Sequence, residues 1–247
     1  YYHLPGGPMR AADVQYDRAE TAFGTMAPAN WDWDHLLAGV GWLHLSGVTP
    51  ALGQRSADAV LEAVRRARAA GIGVSFDGNW RGRLWERWHD DPAAILRPIV
   101  AEATLLFGNH RDASLLLGRD FSGDGTDRRR EAALALLDAF PRLERVASTA
   151  RRVIEPARHE LRARIDTRED HAQTEAIIIT PVIDRIGTGD AFAAGILDAL
   201  FTGETLGTVA ENGLAAAALA HGIRGDFAPL SRRLLDGASP AASDVAR

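Results

Sequence analysis

The 247-residue chain contains no cysteine and no lysine, and its 28 basic side chains are all arginine. Without a thiol there is no thiolate nucleophile, no disulfide framework and no cysteine-ligated zinc or iron–sulfur centre, a composition suited to a reducing compartment. Without a lysine amine, Schiff-base chemistry and a Walker-type phosphate loop are both excluded, so any phosphate must be held by arginine or by backbone amides. Long apolar runs are missing too: stretches such as Ala215 to Ala220 fall far short of the roughly 20 residues that cross a bilayer. No signal-peptide pattern opens the chain, and we expect a cytoplasmic protein with no membrane partner. With 33 acidic groups and a net charge of −5, it is not built as a nucleic-acid binder.

What remains is ordinary globular material, 46% hydrophobic and 25% charged, enough for one large core or two small ones. From Gly41 onward short apolar runs alternate with helical patterns, the signature of a parallel sheet covered by helices. Strands are predicted at Trp42 to Ser46, Ile72 to Phe76, Thr104 to Phe107, Val146 to Thr149 and Ile177 to Thr180. Helices are predicted at Ser56 to Ala70, Arg111 to Leu117, Glu131 to Ala139, Ala191 to Phe201 and Val209 to His221. Leu161, Ala163 and Ile165 alternate with arginines, which predicts a half-exposed strand near a sheet edge. Arg128-Arg129-Arg130 reads as a solvated helix start. Residues 1–25, rich in Gly, Pro and aromatics, read as part of a small β lid, and residues 26–247 as the α/β domain. The opening Tyr1-Tyr2-His3 reads as the interior of a β-rich segment, so an upstream part is expected to be missing.

Ligands of open α/β sheets bind where strand ends enter helices, which selects three places. In Asp184-Arg185-Ile186-Gly187-Thr188-Gly189-Asp190, two glycines permit a tight turn into a helix whose free N–H groups and positive end form an anion site. Asp190 at the helix head is either an N-cap or a general base for an attacking hydroxyl. At Asp77-Gly78-Asn79-Trp80-Arg81, polar groups gather at a strand terminus; Arg81 can grip a carboxylate or phosphate, or simply pair with Asp77. At Asn109-His110-Arg111-Asp112, Asn109 is either a helix N-cap or part of a site. The eight histidines show no zinc spacing and read as surface or satisfied core residues.

Asp184, the GTGD turn and Ala191-Phe192-Ala193-Ala194-Gly195 together resemble the C-terminal signature of the ribokinase and phosphofructokinase B superfamily of sugar kinases. Val74 to Arg81 and Trp42 to Pro50 are similar to its 2-keto-3-deoxygluconate kinase branch. The resemblance covers Tyr16 to about Leu230. It implies a ribokinase-like three-layer α/β sandwich with a mostly parallel sheet, and an ATP- and Mg2+-dependent kinase acting on a small sugar acid. By the same resemblance Asp190 is the base, and Gly187, Thr188 and Gly189 form the anion hole for the γ-phosphate. Tyr16, Arg18, Arg81 and Asp226 would contact the sugar acid, with Asn79, Asn109 and Asn212 on the nucleotide side. Asn109 and Asp112 look like the superfamily's Asn-x-x-Glu motif, whose acid helps organise magnesium; aspartate replaces glutamate here, and its reach is shorter. The family's N-terminal strand and paired-glycine sugar motif are absent, and around Ser148-Thr149-Ala150-Arg151-Arg152 arginines replace the usual Gly-rich nucleotide turn. Two cations suit an acid substrate, but a fructokinase- or ribokinase-like enzyme and a truncated nucleotide-binding module without catalysis remain the alternatives. Exposed lid strand edges would suit pairing with a second subunit.

Overall fold

The computed structural model describes residues 2–4, 13–15, 17, 18 and 20–237. The chain divides into two compact units, residues 1–146 with 166–168, and residues 147–165 with 169–247.

The first unit opens with a two-stranded antiparallel sheet of β1 (Tyr2–Leu4) and β2 (Asp13–Gln15), in register Tyr2↔Gln15. The short helices α1 (Ala22–Thr25) and α2 (Trp33–Leu36) follow, each started by a side chain that accepts an otherwise orphaned amide, Thr21 and Asp32 respectively. The main layer then alternates strand and helix: β3 (Trp42–Ser46), α3 (Gln54–Ala69), β4 (Gly73–Asp77), α4 (Gly82–Trp85), α5 (Pro92–Val100), β5 (Leu105–Phe107), α6 (His110–Leu117) and α7 (Gly125–Ala139). Strands β3, β4 and β5 pair in parallel, Ser46 lying opposite Asp77 and Asp77 opposite Phe107. Their neighbouring carboxyl ends therefore gather Ser46, Asp77 and the loop from Gly78 to Arg81. Helix α3 forms because Val60, Val64 and Ala67 recur on one face, and all three are buried against the sheet's Val74 and Phe76. Its last turn carries Arg66 and Arg68, which complement the negative end of the helix dipole.

Helix α7 starts at Gly125, a turn and a half before the expected Glu131, and its arginines differ in fate. Arg128 meets Glu131 at the surface. Arg130 does not belong to a solvated start: it pairs with the buried Asp166 at 2.9 Å and donates to the carbonyls of Thr167 and Arg168. Arg168 in turn donates to the carbonyls of Leu137, Phe140 and Pro141, at and just past the end of α7, which helical bonding leaves unsatisfied.

Strand β6 (Arg145–Glu155) carries the chain from the first unit into the second. The second unit continues with β7 (Arg158–Asp166), β8 (His171–Gln173), β9 (Ile177–Ile179), α8 (Thr188–Phe201), α9 (Leu206–Ala220) and α10 (Arg232–Asp236). Strand β7 is not the half-exposed edge its arginines suggested. It lies between β6 and β8 and also pairs antiparallel with β9. His159, Leu161, Ala163 and Ile165 are buried on one face, and the other face buries Arg164 and Asp166. The arginine reads as polar in sequence but is covered, with Gln173 as one partner. Helices α8 and α9 approach closely at Gly195, where a Cβ would fall 2.6 Å from the carbonyl oxygen of Asn212. Among the described residues no helix is long and apolar enough to cross a membrane.

Breaking a buried ion pair by removing one partner strands the other charge, so Arg130→Met is expected to cost about 3 kcal/mol of unfolding free energy. Urea denaturation of the two chains measures it; an unchanged midpoint would show that the Asp166 carboxylate finds solvent without Arg130.

Candidate active site

The second unit builds the glycine turn from Gly187 to Gly189. Gly187 is the N-cap of α8 and adopts the left-handed conformation, φ 74°. A Cβ there would also fall 2.5 Å from the carbonyl oxygen of Asp226, so glycine is needed both for the dihedral and for the approach of the following loop. The turn is stapled to that loop by Asp184. One of its carboxylate oxygens accepts the amides of Arg185 and Ile186, at 2.6 and 3.1 Å, and the other accepts the amide of Gly225 at 3.0 Å. The His221 carbonyl, at the end of α9, accepts the amides of Ile183 and Asp184, while the Thr188 hydroxyl donates to the Arg185 carbonyl.

Asp190 sits in the first turn of α8 and is exposed; the cap is Gly187, so the N-cap reading of Asp190 falls away. Gly187, Asp190 and Asp226 line one open cavity of about 370 Å3, together with Ala191, Ala216 and Leu230. Its lining also includes the ion pair of Asp198 with Arg232, 2.6 Å, which sequence reasoning did not single out. Asn212, expected beside the nucleotide, lies mid-way along α9, half-buried, its carbonyl against α8.

The first unit holds the other candidates. Asn79 is the one non-glycine residue with positive φ among the described residues, 38°. It sits beyond the end of β4, so Asp77, Asn79 and Arg81 do not alternate along a strand. The Asn79 amide donates to Asp77, and its side chain donates to the Ser46 hydroxyl. Arg81 is half-buried, donates to the Trp80 carbonyl and forms no ion pair with Asp77. Trp80, 45% exposed, stacks on the buried Trp85, which stacks on Trp88. Asn109 caps α6 and Asp112 accepts the Asn109 amide in return, a reciprocal capping box. Burial pushes the Asp112 carboxyl above its ordinary value. Arg18 is described and half-buried, while Tyr16 lies outside the described residues.

The same unit buries two histidines, on β7 and at the end of α9, that the sequence marked only as core or surface. His159 and His221 are 2% and 3% exposed, with rings edge to face at 6.3 Å. Nδ1 of His221 lies 2.7 Å from the Ala217 carbonyl, whereas Nδ1 of His159 is buried without a partner. Burial, then the nearby Arg151 and Arg185, hold the His159 imidazole below its ordinary value; for His221 burial dominates in the same direction.

The pfkB family of carbohydrate kinases matches residues 9–232, and the chain belongs to it. The chain is 30% identical over 228 residues to the 2-dehydro-3-deoxygalactonokinase of Haloferax volcanii, covering 92% of this chain and 66% of that protein. It is 26% identical over 223 residues to the 2-dehydro-3-deoxygluconokinase of Bacillus subtilis, covering 89% and 62%. The chain thus spans slightly under two thirds of the length of these relatives. The crystal structure of 2-dehydro-3-deoxygluconokinase from Thermotoga maritima superposes with a TM-score of 0.88 at 28% identity, over 96% of this chain and 70% of that one. The fold is accordingly the ribokinase-like α/β sandwich that the resemblance implied.

Two outcomes follow from this geometry. Gly187→Ala must bring a side chain into both a strained dihedral and the Asp226 backbone, and is expected to cost about 2 kcal/mol in a urea titration. The two histidines fold neutral, with values below the ordinary 6.5. Their contribution to stability is therefore complete above about pH 6.5 and is lost as pH falls below it, because unfolding then takes up protons. His159→Gln should flatten that loss in melts between pH 7 and 5, and an unchanged slope would assign it elsewhere.

Proposed function

We propose that the chain is an ATP-dependent sugar-acid kinase that phosphorylates 2-dehydro-3-deoxygluconate, or its galactonate-derived epimer, on the terminal carbon-6 hydroxyl, in the cytoplasm. The observation that carries this is one cavity lined by Gly187, the N-cap of α8, by the exposed carboxylate of Asp190 in the first turn of that helix and by a second, Asp226, on the loop stapled to it. The names of the two curated relatives and of the Thermotoga structure support the substrate class.

Asp190 takes the proton of the sugar hydroxyl as that oxygen attacks the γ-phosphorus, and the bond from phosphorus to the bridging oxygen breaks, leaving ADP. The amides at the head of α8, with the positive end of the helix, stabilise charge on the transferring group. The glycine turn is held by the protein's own hydrogen bonds to Asp184, so little reorganisation opposes the step. Arg18 and Arg81 recognise the carboxylate end of the open-chain acid, a role that suits Arg81 because no acid in the described protein neutralises it. Among the described residues no three acidic or histidine side chains form a metal site, and Asp112 is turned onto the α6 backbone. Magnesium bound with the nucleotide would neutralise phosphate charge, and Asp112 would bear on it only through the helix it caps.

Phosphate transfer by this chain with ATP, magnesium and each of the two sugar acids, beside Asp190→Asn, tests the reading. Removing the base is expected to lower kcat about a thousandfold with the fold intact. Turnover unaffected by the substitution would remove Asp190 from the chemistry, and no turnover from the folded chain would overturn the kinase reading for it.

A further inference from the structure

The segment that leads from β9 into the glycine turn is held at each end by a histidine. At one end Ile179, the last residue of β9, pairs with His159 of β7 in the antiparallel register. At the other end the amides of Ile183 and Asp184 both donate to the His221 carbonyl, at 2.9 and 3.2 Å, where α9 stops. The two side chains then meet each other. Their rings, 2% and 3% exposed, pack edge to face with centroids 6.3 Å apart and an interplanar angle of 88°. His221 is anchored in turn on α9. Its Nδ1 lies 2.7 Å from the Ala217 carbonyl, and because a carbonyl only accepts, Nδ1 carries the proton. The same carbonyl accepts the His221 amide at 3.2 Å, so ring and main chain of His221 are fixed on one atom.

His221 therefore works in two directions, its ring inward to α9 and His159, its carbonyl outward to the chain entering the turn. A ring that shifted would rotate the His221 main chain and carry its carbonyl off the two amides. From Asp184 the placement passes on: its carboxylate holds the amides of Arg185, Ile186 and Gly225, and the turn so held sets Gly187 and, in the first turn of α8, Asp190. A base misplaced by about 1 Å can cost a hundredfold in rate, so a buried, close-packed support has something to protect. We propose that His159 and His221 are positioning residues for the phosphoryl transfer, a buried ring pair that fixes where Asp190 stands. Position 159 then needs a ring to pack, and position 221 needs a donor for the Ala217 carbonyl. The proposal rests on the reading of Asp190 as the base, whereas the hold of the pair on the turn does not depend on it.

The test reads the hold and the chemistry separately on the full chain. Amide hydrogen exchange without ligand is followed for residues 183–190 in the parent, in His159→Ala and in His221→Ala, with thermal melts and sugar-acid phosphorylation measured beside it. Two conservative variants join them: His159→Phe, which keeps a ring, and His221→Asn, whose side-chain amide can still donate to the Ala217 carbonyl. Each alanine variant is expected to speed exchange in that segment about tenfold or more while β3 and α3 of the first unit exchange as in the parent. It should lower kcat about tenfold to a hundredfold and leave KM for the sugar acid within about twofold, since a displaced base is felt in the transition state and not in ground-state binding. The conservative variants should recover most of both losses. If the alanine chains do not fold, His221→Phe, which keeps the ring and loses the donor, takes their place. Unchanged exchange at 183–190 would overturn the proposal, and so would local acceleration with unchanged kcat. Acceleration throughout the second unit with a lowered melting temperature, or conservative variants as impaired as the alanine ones, would make the pair structural only and overturn it as well. A parent chain without turnover would count against the kinase reading, and the exchange of the variants would still decide whether the pair holds the turn.

Discussion

The three amides that converge on the Asp184 carboxylate fix more than their own loop. A charged carboxylate accepting backbone N–H groups makes shorter and stronger bonds than a neutral acceptor, and here one acceptor ties two separate segments, the turn before α8 and the loop after α9. The His221 carbonyl repeats the tie from the other side. Gly187 must be glycine because these ties bring the Asp226 backbone against it. The positions of Asp190, Asp226 and Arg185 all follow from that one junction, and with them the shape of the anion site.

Much of this was legible in the sequence. Strand β3 lies where its apolar run predicted, and α3, α8 and α9 were found from helical periodicity, with ends displaced by up to a few residues. The signature from Asp184 to Gly195 carried the fold family, and Asp184, Gly187 and Gly195 each answer a local backbone demand that the structure shows. The misreadings came from charged residues. Alternating arginines on β7 looked like solvent exposure, yet Arg164 is 2% exposed. The arginine run at the start of α7 looked solvated, yet Arg130 meets Asp166. Both partners lie far off in the chain or across a sheet, and pattern along one segment does not report them.

The same limitation hid the histidine pair. His159 and His221 are well separated in sequence, and each alone is unremarked; only the pairing of β7 with β9 and the end of α9 bring the histidines together. For the first unit the opposite holds. Asn109 and Asp112 sit three apart at a helix start, and the capping box that the structure shows is what that spacing most simply encodes. Arg81, by contrast, is kept from the Asp77 carboxylate although only four residues away, because the positive φ of Asn79 turns the loop after β4.

Arg130 and Arg168 bear on how the protein is made. The first unit includes residues 166–168, which are synthesised only after the β6–β7 hairpin. Until they arrive, Arg130 has no Asp166 and the end of α7 has no Arg168 to cover its carbonyls. A chain synthesised from its N-terminus therefore completes the first unit only when residues 166–168 have followed the strands of the hairpin. For about the span of that hairpin the nascent chain carries Arg130 without the carboxylate it meets in the folded protein.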